Sequence, residues 1–458
     1  MYTYSRLLPR AAVLLLILSG CATRYDNRIV ERRTHELYGS SNERSSSSDS
    51  PETLLVASEL LERAELELYL TFGLQSSAEL RAAFESWRAS TERVAQESSL
   101  PDPRLSFGQF VEEVQTRTGP QQRRFGLSQA FPWPGELDTK AKLATERAEV
   151  AWTKVEHVRL RVARQIEEAF YEYAYLAREL DITRELLELI RGLEPVVQGR
   201  IRGGSGQEDL LRLQVEIGRL EDDLASIERR RPAASARLAD AMNFPLESAD
   251  SLPLPQLEVP KASQPRVDAL LKTALAQSPR LQVLENELAA ARVAEELSEF
   301  KRRPDFAARV DYIDTGDALN PGTDGSGNDP LFLGLSMTLP VWTSNYSAAE
   351  REARHQVRAA RARLDAARSS LNSELAHEAY RVDDSQRRIR LYQSSLIPRA
   401  REALQLTTVS YRAGSASVLD LLDSERALLE FELSLWRASR EYLQGWARLK
   451  EIVGGETQ

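Results

Sequence analysis

Two carboxylates near the C-terminal end of the chain are the residues best placed for chemistry. Asp420 and Asp423 stand three residues apart, just after the turn Gly414-Ser415-Ala416-Ser417, so on a helix they share one face. Crowded with further acids, such a pair attracts cations. At a solvated helix N-terminus it needs no further explanation, because the dipole favours negative charge there. Other chemistry finds no support. The four histidines, His35, His157, His355 and His377, lack metal-ligand spacing, so no metal site and no cofactor is expected. There is no nucleophile motif, no phosphate loop and no paired-acid signature of a cleft, so the chain is not expected to be an enzyme. Cys21 is the only cysteine, which excludes an intrachain disulfide.

That cysteine has its own context. Arg6 and Arg10 precede the apolar run Ala11 to Leu18, which has the length of a signal peptide rather than of a membrane span. The run ends Leu18-Ser19-Gly20-Cys21, which resembles a bacterial lipobox. Residues 1–20 are read as a lipoprotein signal, with Cys21 as the lipidated residue. The absence of aspartate after it (Ala22) points to the inner leaflet of the outer membrane. Residues 21–51, with Ser45-Ser46-Ser47-Ser48, read as an extended lipidated tether. A net charge of −9 argues against a nucleic-acid partner. No later segment has enough consecutive apolar residues for a membrane helix, so any crossing of a membrane must use strands.

The elements that must position the carboxylates occur twice. Ser77 to Leu105 is echoed by Ser278 to Phe306 at an offset of 201, and Phe125 to Pro132 by Leu333 to Pro340 at 208. The first repeat is placed at 52–243 and the second at 265–458. The proline-bearing connector 244–264 (Pro245, Pro253, Pro255, Pro260) lies between them, where no helix can continue. Each repeat reads as helix, strand, strand, very long helix, tip, returning helix. Leu105, Phe107, Phe125, Leu127 and Phe131 alternate with polar or small residues. So do Phe306, Ala308, Val310, Tyr312, Leu333, Leu335, Met337 and Leu339. Period two gives one apolar and one polar face, which suits either a sheet on a soluble core or a membrane barrel with a wet lumen. Two strands per repeat cannot close a barrel, which invites assembly of several chains.

The long helices carry a heptad seam. Ala144, Ala148, Ala151, Val155, Val158, Val162 and Ile166 recur as Ala353, Val357, Ala360, Leu364, Ala367, Leu371 and Leu375 at a constant offset of 209. Both runs contain the same four-residue step before their last member, which locally unwinds a left-handed supercoil. From Gly135 to Glu194 there is no proline, giving a rod of about 90 Å. Glycine-bearing turns at Gly203-Gly204-Ser205 and Gly414-Ser415-Ala416-Ser417 reverse each rod.

Tyr411-x-x-Gly414-x-x-Ser417-x-x-Asp420-Leu421-Leu422-Asp423 and the helix after it resemble the second tip of the TolC-like outer-membrane efflux protein family. Ser128-Gln129-Ala130-Phe131-Pro132-Trp133-Pro134-Gly135 and Leu335 to Pro340 resemble its strand exits. The likeness covers residues 70–455 in order. It implies a mainly α fold with a small transmembrane β-barrel: a homotrimer in which each chain gives four strands to a twelve-stranded barrel and long coiled-coil helices to a periplasmic tunnel. It implies that Tyr411, Asp420 and Asp423 gate the periplasmic mouth. Three chains would then crowd six carboxylates and raise some of their pKa values. Ala416 departs from the family's basic residue there, leaving Arg412 as the substitute, and Arg212 stands in the first tip where the second has Asp423. The small residues Gly203, Gly204, Ser205, Gly414, Ser415 and Ser417 would meet a periplasmic adaptor, although turns need small residues anyway.

The implied function is the passive exit duct of a tripartite efflux system. Its partners would be the adaptor (a membrane fusion protein), an inner-membrane pump of the proton-driven kind, and outer-membrane lipid. Its cargo would be drugs or metal ions. The alternatives are the exit duct of a type I protein or peptide secretion system and a periplasmic coiled-coil adaptor lipoprotein, a class that lacks the duplication. Phe131-Pro132-Trp133-Pro134-Gly135 resembles branches serving heavy-metal pumps, while only three methionines and no histidine cluster argue against a metal relay in this chain.

Overall fold

A computed structural model describes residues 25–38, 58–202, 207–261, 263–320 and 322–455. Cys21, the signal segment and the tip residues Gly203, Gly204 and Ser205 lie outside these. The helices are α1 (Asn27–Tyr38), α2 (Leu66–Ser76), α3 (Ala78–Ser98), α4 (Glu136–Arg191), α5 (Glu194–Arg202) and α6 (Gln207–Met242) in the first half. The second half has α7 (Val267–Gln277), α8 (Pro279–Phe300), α9 (Thr343–Leu391), α10 (Ile397–Ala413) and α11 (Val418–Val453). The strands are β1 (Arg104–Thr116), β2 (Gly119–Phe131), β3 (Phe306–Thr315) and β4 (Leu331–Met337). The order helix, strand, strand, long helix, tip, helix thus occurs twice.

The chain divides into two compact units. One comprises the chain up to Arg33, Glu85–Trp152 and Val283–Leu364; the other comprises Thr34–Phe84, Thr153–Gln282 and Asp365–Gln458.

The first unit contains the sheet. Its order is β1-β2-β3-β4, all antiparallel, so the central β2–β3 pair joins the two repeats. Register fixes the faces. Leu105, Leu127, Val310 and Leu333 stand in one cross-strand row, and Phe107, Phe125 and Tyr312 in another. This apolar face is exposed, with Leu105 at 80% and Leu335 at 90%. An apolar face this extensive marks a surface for contact with a membrane or with another protein. The opposite face carries Ser106, Gly126, Ser128, Arg309 and Asp311.

Residues 25–38 depart from the extended tether expected of them. They form α1, held by Arg33, whose Nη2 lies 2.8 Å from Glu149 Oε2 and whose guanidinium stacks 4.6 Å from the Trp152 ring. Composition alone gave a polar linker. Among the contacts that dock it, Arg33 finds a carboxylate and an aromatic face on α4.

The second unit holds the connector and the tips. Tyr69, Phe72, Ile166, Tyr173, Leu238, Met242 and Leu252 are among its buried core. The connector is tied down by two tyrosines. Tyr173 donates its hydroxyl to Leu252 O at 3.1 Å, and Tyr442 accepts from Ser263 N and donates to Ser263 O, both at 3.0 Å.

The heptad seam is the buried edge of each long helix. Ala144, Ala148, Val155, Val162 and Ile166 are buried on α4, and Ala353, Ala360, Leu364, Ala367, Leu371 and Leu375 on α9. Ala151, Val158 and Val357 are half-buried. Beyond α9 the helix widens into a π turn, Tyr392–Leu396, directly before Pro398, which has no N–H for the carbonyl four residues back.

Candidate functional site

The second tip is built by two local devices. Helix α10 ends at Gly414, whose φ of 84° is left-handed backbone that suits glycine. Ser415 N then reaches back to Ser410 O at 3.0 Å, and the Ser415 hydroxyl donates to the same oxygen at 3.1 Å. Helix α11 starts with a capping box. The Ser417 hydroxyl accepts from Asp420 N at 3.2 Å, and Asp420 Oδ2 accepts from Ser417 N at 2.9 Å.

Asp420 and Asp423 are both exposed at the start of α11, as their spacing predicts. Their surroundings differ. Asp420 is engaged by the cap, and the Ser417 backbone amide, then its hydroxyl, hold the Asp420 carboxyl below its ordinary value. Crowding by further acids would act in the opposite direction, so within one chain the cap sets Asp420. Asp423 keeps 65% of its side chain exposed and lies 3.6 Å from Arg426 Nη1.

Tyr411 is fully buried in its own chain, in an apolar cluster with Val418, Leu421 and Leu422 of α11 and Leu213 and Leu220 of α6. Ala416 packs against the same cluster, and Arg412 is exposed. The sequence pattern groups Tyr411, Asp420 and Asp423; the structure sets the phenol inside and the two acids outside. Arg212, on the first tip's returning helix α6, pairs with Glu208 at 2.5 Å. Gly414, Ser415 and Ser417 are exposed, although both serine hydroxyls already serve the turn.

Sequence reasoning missed a buried acid below the tip. Glu425 of α11 is 1% exposed, and neither of its oxygens has a hydrogen-bond partner among the described residues. Glu216 of α6, 3% exposed, is held by Arg426, whose Nε lies 3.2 Å away, and by Arg219 at 3.5 Å. Burial first, and the like charge of Glu216 second, push the Glu425 carboxyl up to about 8 against the pull of Arg426. The signal was present. Leu421, Glu425 and Leu429 follow four-residue spacing, as do Glu216 and Leu220, so each acid occupies an apolar seam position.

Comparison with known proteins bears on the fold that carries this tip. Residues 270–455 match the family described as outer membrane efflux protein. The chain is 29% identical over 261 residues to the alkaline protease secretion protein AprF of Pseudomonas aeruginosa, covering 55% of this chain and 53% of that protein. It is 21% identical over 401 residues to the cobalt-zinc-cadmium resistance protein CzcC of Cupriavidus metallidurans, covering 85% and 90% respectively. Its fold matches the outer membrane protein VceC of Vibrio cholerae with a TM-score of 0.71 at 18% identity, over 87% of this chain and 98% of that one.

Proposed function

Because this chain belongs to the outer membrane efflux protein family, we propose that it is the passive exit duct of a tripartite export system and that three copies assemble to form it. The observation that carries this reading is the sheet. Four strands present an uncovered apolar face on one side and a polar face on the other. The backbone groups at the outer edges of β1 and β4 need partners inside a bilayer, and joining the sheets of further copies into a closed barrel supplies them. The apolar face then meets lipid and the polar face lines water.

In this assembly the exposed Asp423, with Asp420 behind its cap, supplies the acids of the periplasmic mouth, and buried Tyr411 fixes the hairpin that carries them. Gly414, Ser415 and Ser417 are exposed and suit docking of an adaptor hairpin; Gly203, Gly204 and Ser205 are proposed for the same role. Cys21 is the proposed lipid anchor in the outer membrane. An inner-membrane pump, proton-driven in the favoured case, supplies the energy, and the duct itself performs no catalysis. Efflux of drugs or metal ions is the primary reading, supported by the match to CzcC along most of both chains. Protein secretion is the second reading, favoured by the higher identity to AprF over about half of each chain.

The test is cross-linking in the native cell, purification of this chain, and mass spectrometry of what accompanies it. An outer-membrane trimer recovered with an adaptor and a proton-driven pump supports efflux. An ATP-driven exporter in their place supports secretion. A soluble chain recovered alone overturns both.

A further inference from the structure

The polar face of the sheet carries a charge pattern that the duct reading does not use. Asp311 of β3 stands opposite Gly126 of β2 and is 1% exposed. Two guanidinium groups close over it. Arg124 Nε lies 3.0 Å from Oδ1, and Arg309 Nε lies 2.6 Å from Oδ2. Gly126 makes the room, since a Cβ there would lie 2.6 Å from Asp311 Oδ1. One carboxylate neutralises one guanidinium, so the cluster retains a positive charge. The arginines keep 40% and 47% of their side chains exposed. Arg104, also exposed, lies in the same cross-strand row as Ser128, Arg309 and Gly334. Within the regular ladder this face therefore sets three arginines against one aspartate.

We propose that Arg104, Arg124 and Arg309 form a cationic ring on the lumen wall that makes the barrel prefer anions. The inference rests on the duct reading, since only closure of the sheet turns this face into a lumen. Rings of arginine select anions in pores by this means. Twelve strands about 4.8 Å apart and tilted enclose a barrel roughly 25 Å across. The Debye length is about 10 Å at 0.1 M salt and about 30 Å at 0.01 M. The ring's field therefore fills the lumen in dilute salt and hugs the wall in concentrated salt.

The experiment is reversal-potential measurement on the purified full-length protein in planar bilayers under a dilute KCl gradient. Arg104→Gln and Arg309→Gln are each expected to shift the chloride-to-potassium permeability ratio toward potassium by about twofold, with the shift vanishing near 1 M salt. Asp311→Asn is expected to shift it toward chloride. Arg104 stands outside the Asp311 pairs, so its variant is expected to fold whatever those pairs contribute. An unchanged ratio in conducting Arg104→Gln and Arg309→Gln channels would overturn the inference while leaving the duct intact. A wild-type protein that forms no channel would instead overturn the duct reading, and the ring with it.

Discussion

Ser417 and Asp420 cap each other: each backbone amide donates to the other's side chain, at 2.9 Å from Ser417 and 3.2 Å from Asp420. The relation separates two roles that the sequence merges. Asp420 is part of the fold of the tip, whereas Asp423 carries a charge that the cap does not use. Ser417→Ala is expected to cost about 1 kcal/mol of stability and to leave block by multivalent cations unchanged. Asp423→Ala is expected to weaken that block and raise single-channel conductance while leaving the melting temperature nearly constant. Planar-bilayer recordings paired with thermal melts check both. Unchanged block in both Asp423→Ala and the double variant with Asp420→Ala would remove the acidic mouth from the proposed function.

Glu425 gives a pH dependence with a definite sign. Its folded-state pKa, pushed up to about 8, lies above the ordinary carboxylate value of 4.5. Between these values the folded protein binds the extra proton, so the contribution of this group to stability falls as pH rises through that window. Below it the cost is absent; above it the full cost of a buried charge is present. Glu425→Gln, which is neutral throughout, is therefore expected to raise the melting temperature at pH 8 by several degrees relative to wild type. The gain should shrink toward pH 5. Melts across this range decide it, and a gain that is equal at both ends would show that Glu425 does not titrate there.

What the sequence disclosed and what it hid divide along physical lines. The strand faces were legible because period two is a local property: Phe107, Phe125 and Tyr312 fall in one row as their alternation requires. The seams were legible for the same reason, since Ala148 and Ile166 belong to an unbroken helical period. Glu425 was overlooked because its burial depends on α6, a helix that reaches it only in three dimensions, although its seam position was readable. Docking of α1 was illegible, because Arg33 lies 116 residues from Glu149 and no periodicity links them.

That docking yields a test. Arg33 Nη1 donates to the Tyr25 hydroxyl at 2.7 Å as well as facing Glu149. Burial alone would raise the Glu149 carboxyl, but hydrogen bonds from Arg33 and Tyr25 outweigh it and hold the group low. Arg33→Ala removes the guanidinium that both pairs with this half-buried carboxylate and stacks on Trp152, at a cost of about 1–3 kcal/mol. Limited proteolysis is expected to cut faster around α1 while the remaining helices keep their protection. Identical cleavage patterns in wild type and variant would show that α1 is held by other contacts.

Gly126 tests whether the polar cluster helps to set the sheet. A Cβ there would approach Ser106 Oγ at 2.5 Å and Asp311 Oδ1 at 2.6 Å, closer than either oxygen tolerates. Gly126→Ala must therefore displace Asp311 from Arg124 or spread β1 from β2, and a cost of about 1–3 kcal/mol is expected. Gly108, on the neighbouring strand β1, provides the control, because a Cβ there meets nothing within 4 Å. Semi-native gel migration of the heated protein reads the difference. Gly126→Ala should lose its assembled band at a lower temperature than wild type, and Gly108→Ala should not. If both variants lost the band at the same lowered temperature, a property common to the two glycines rather than space for Asp311 would be what Gly126 supplies; if neither lost it, the polar cluster would not help to set the sheet.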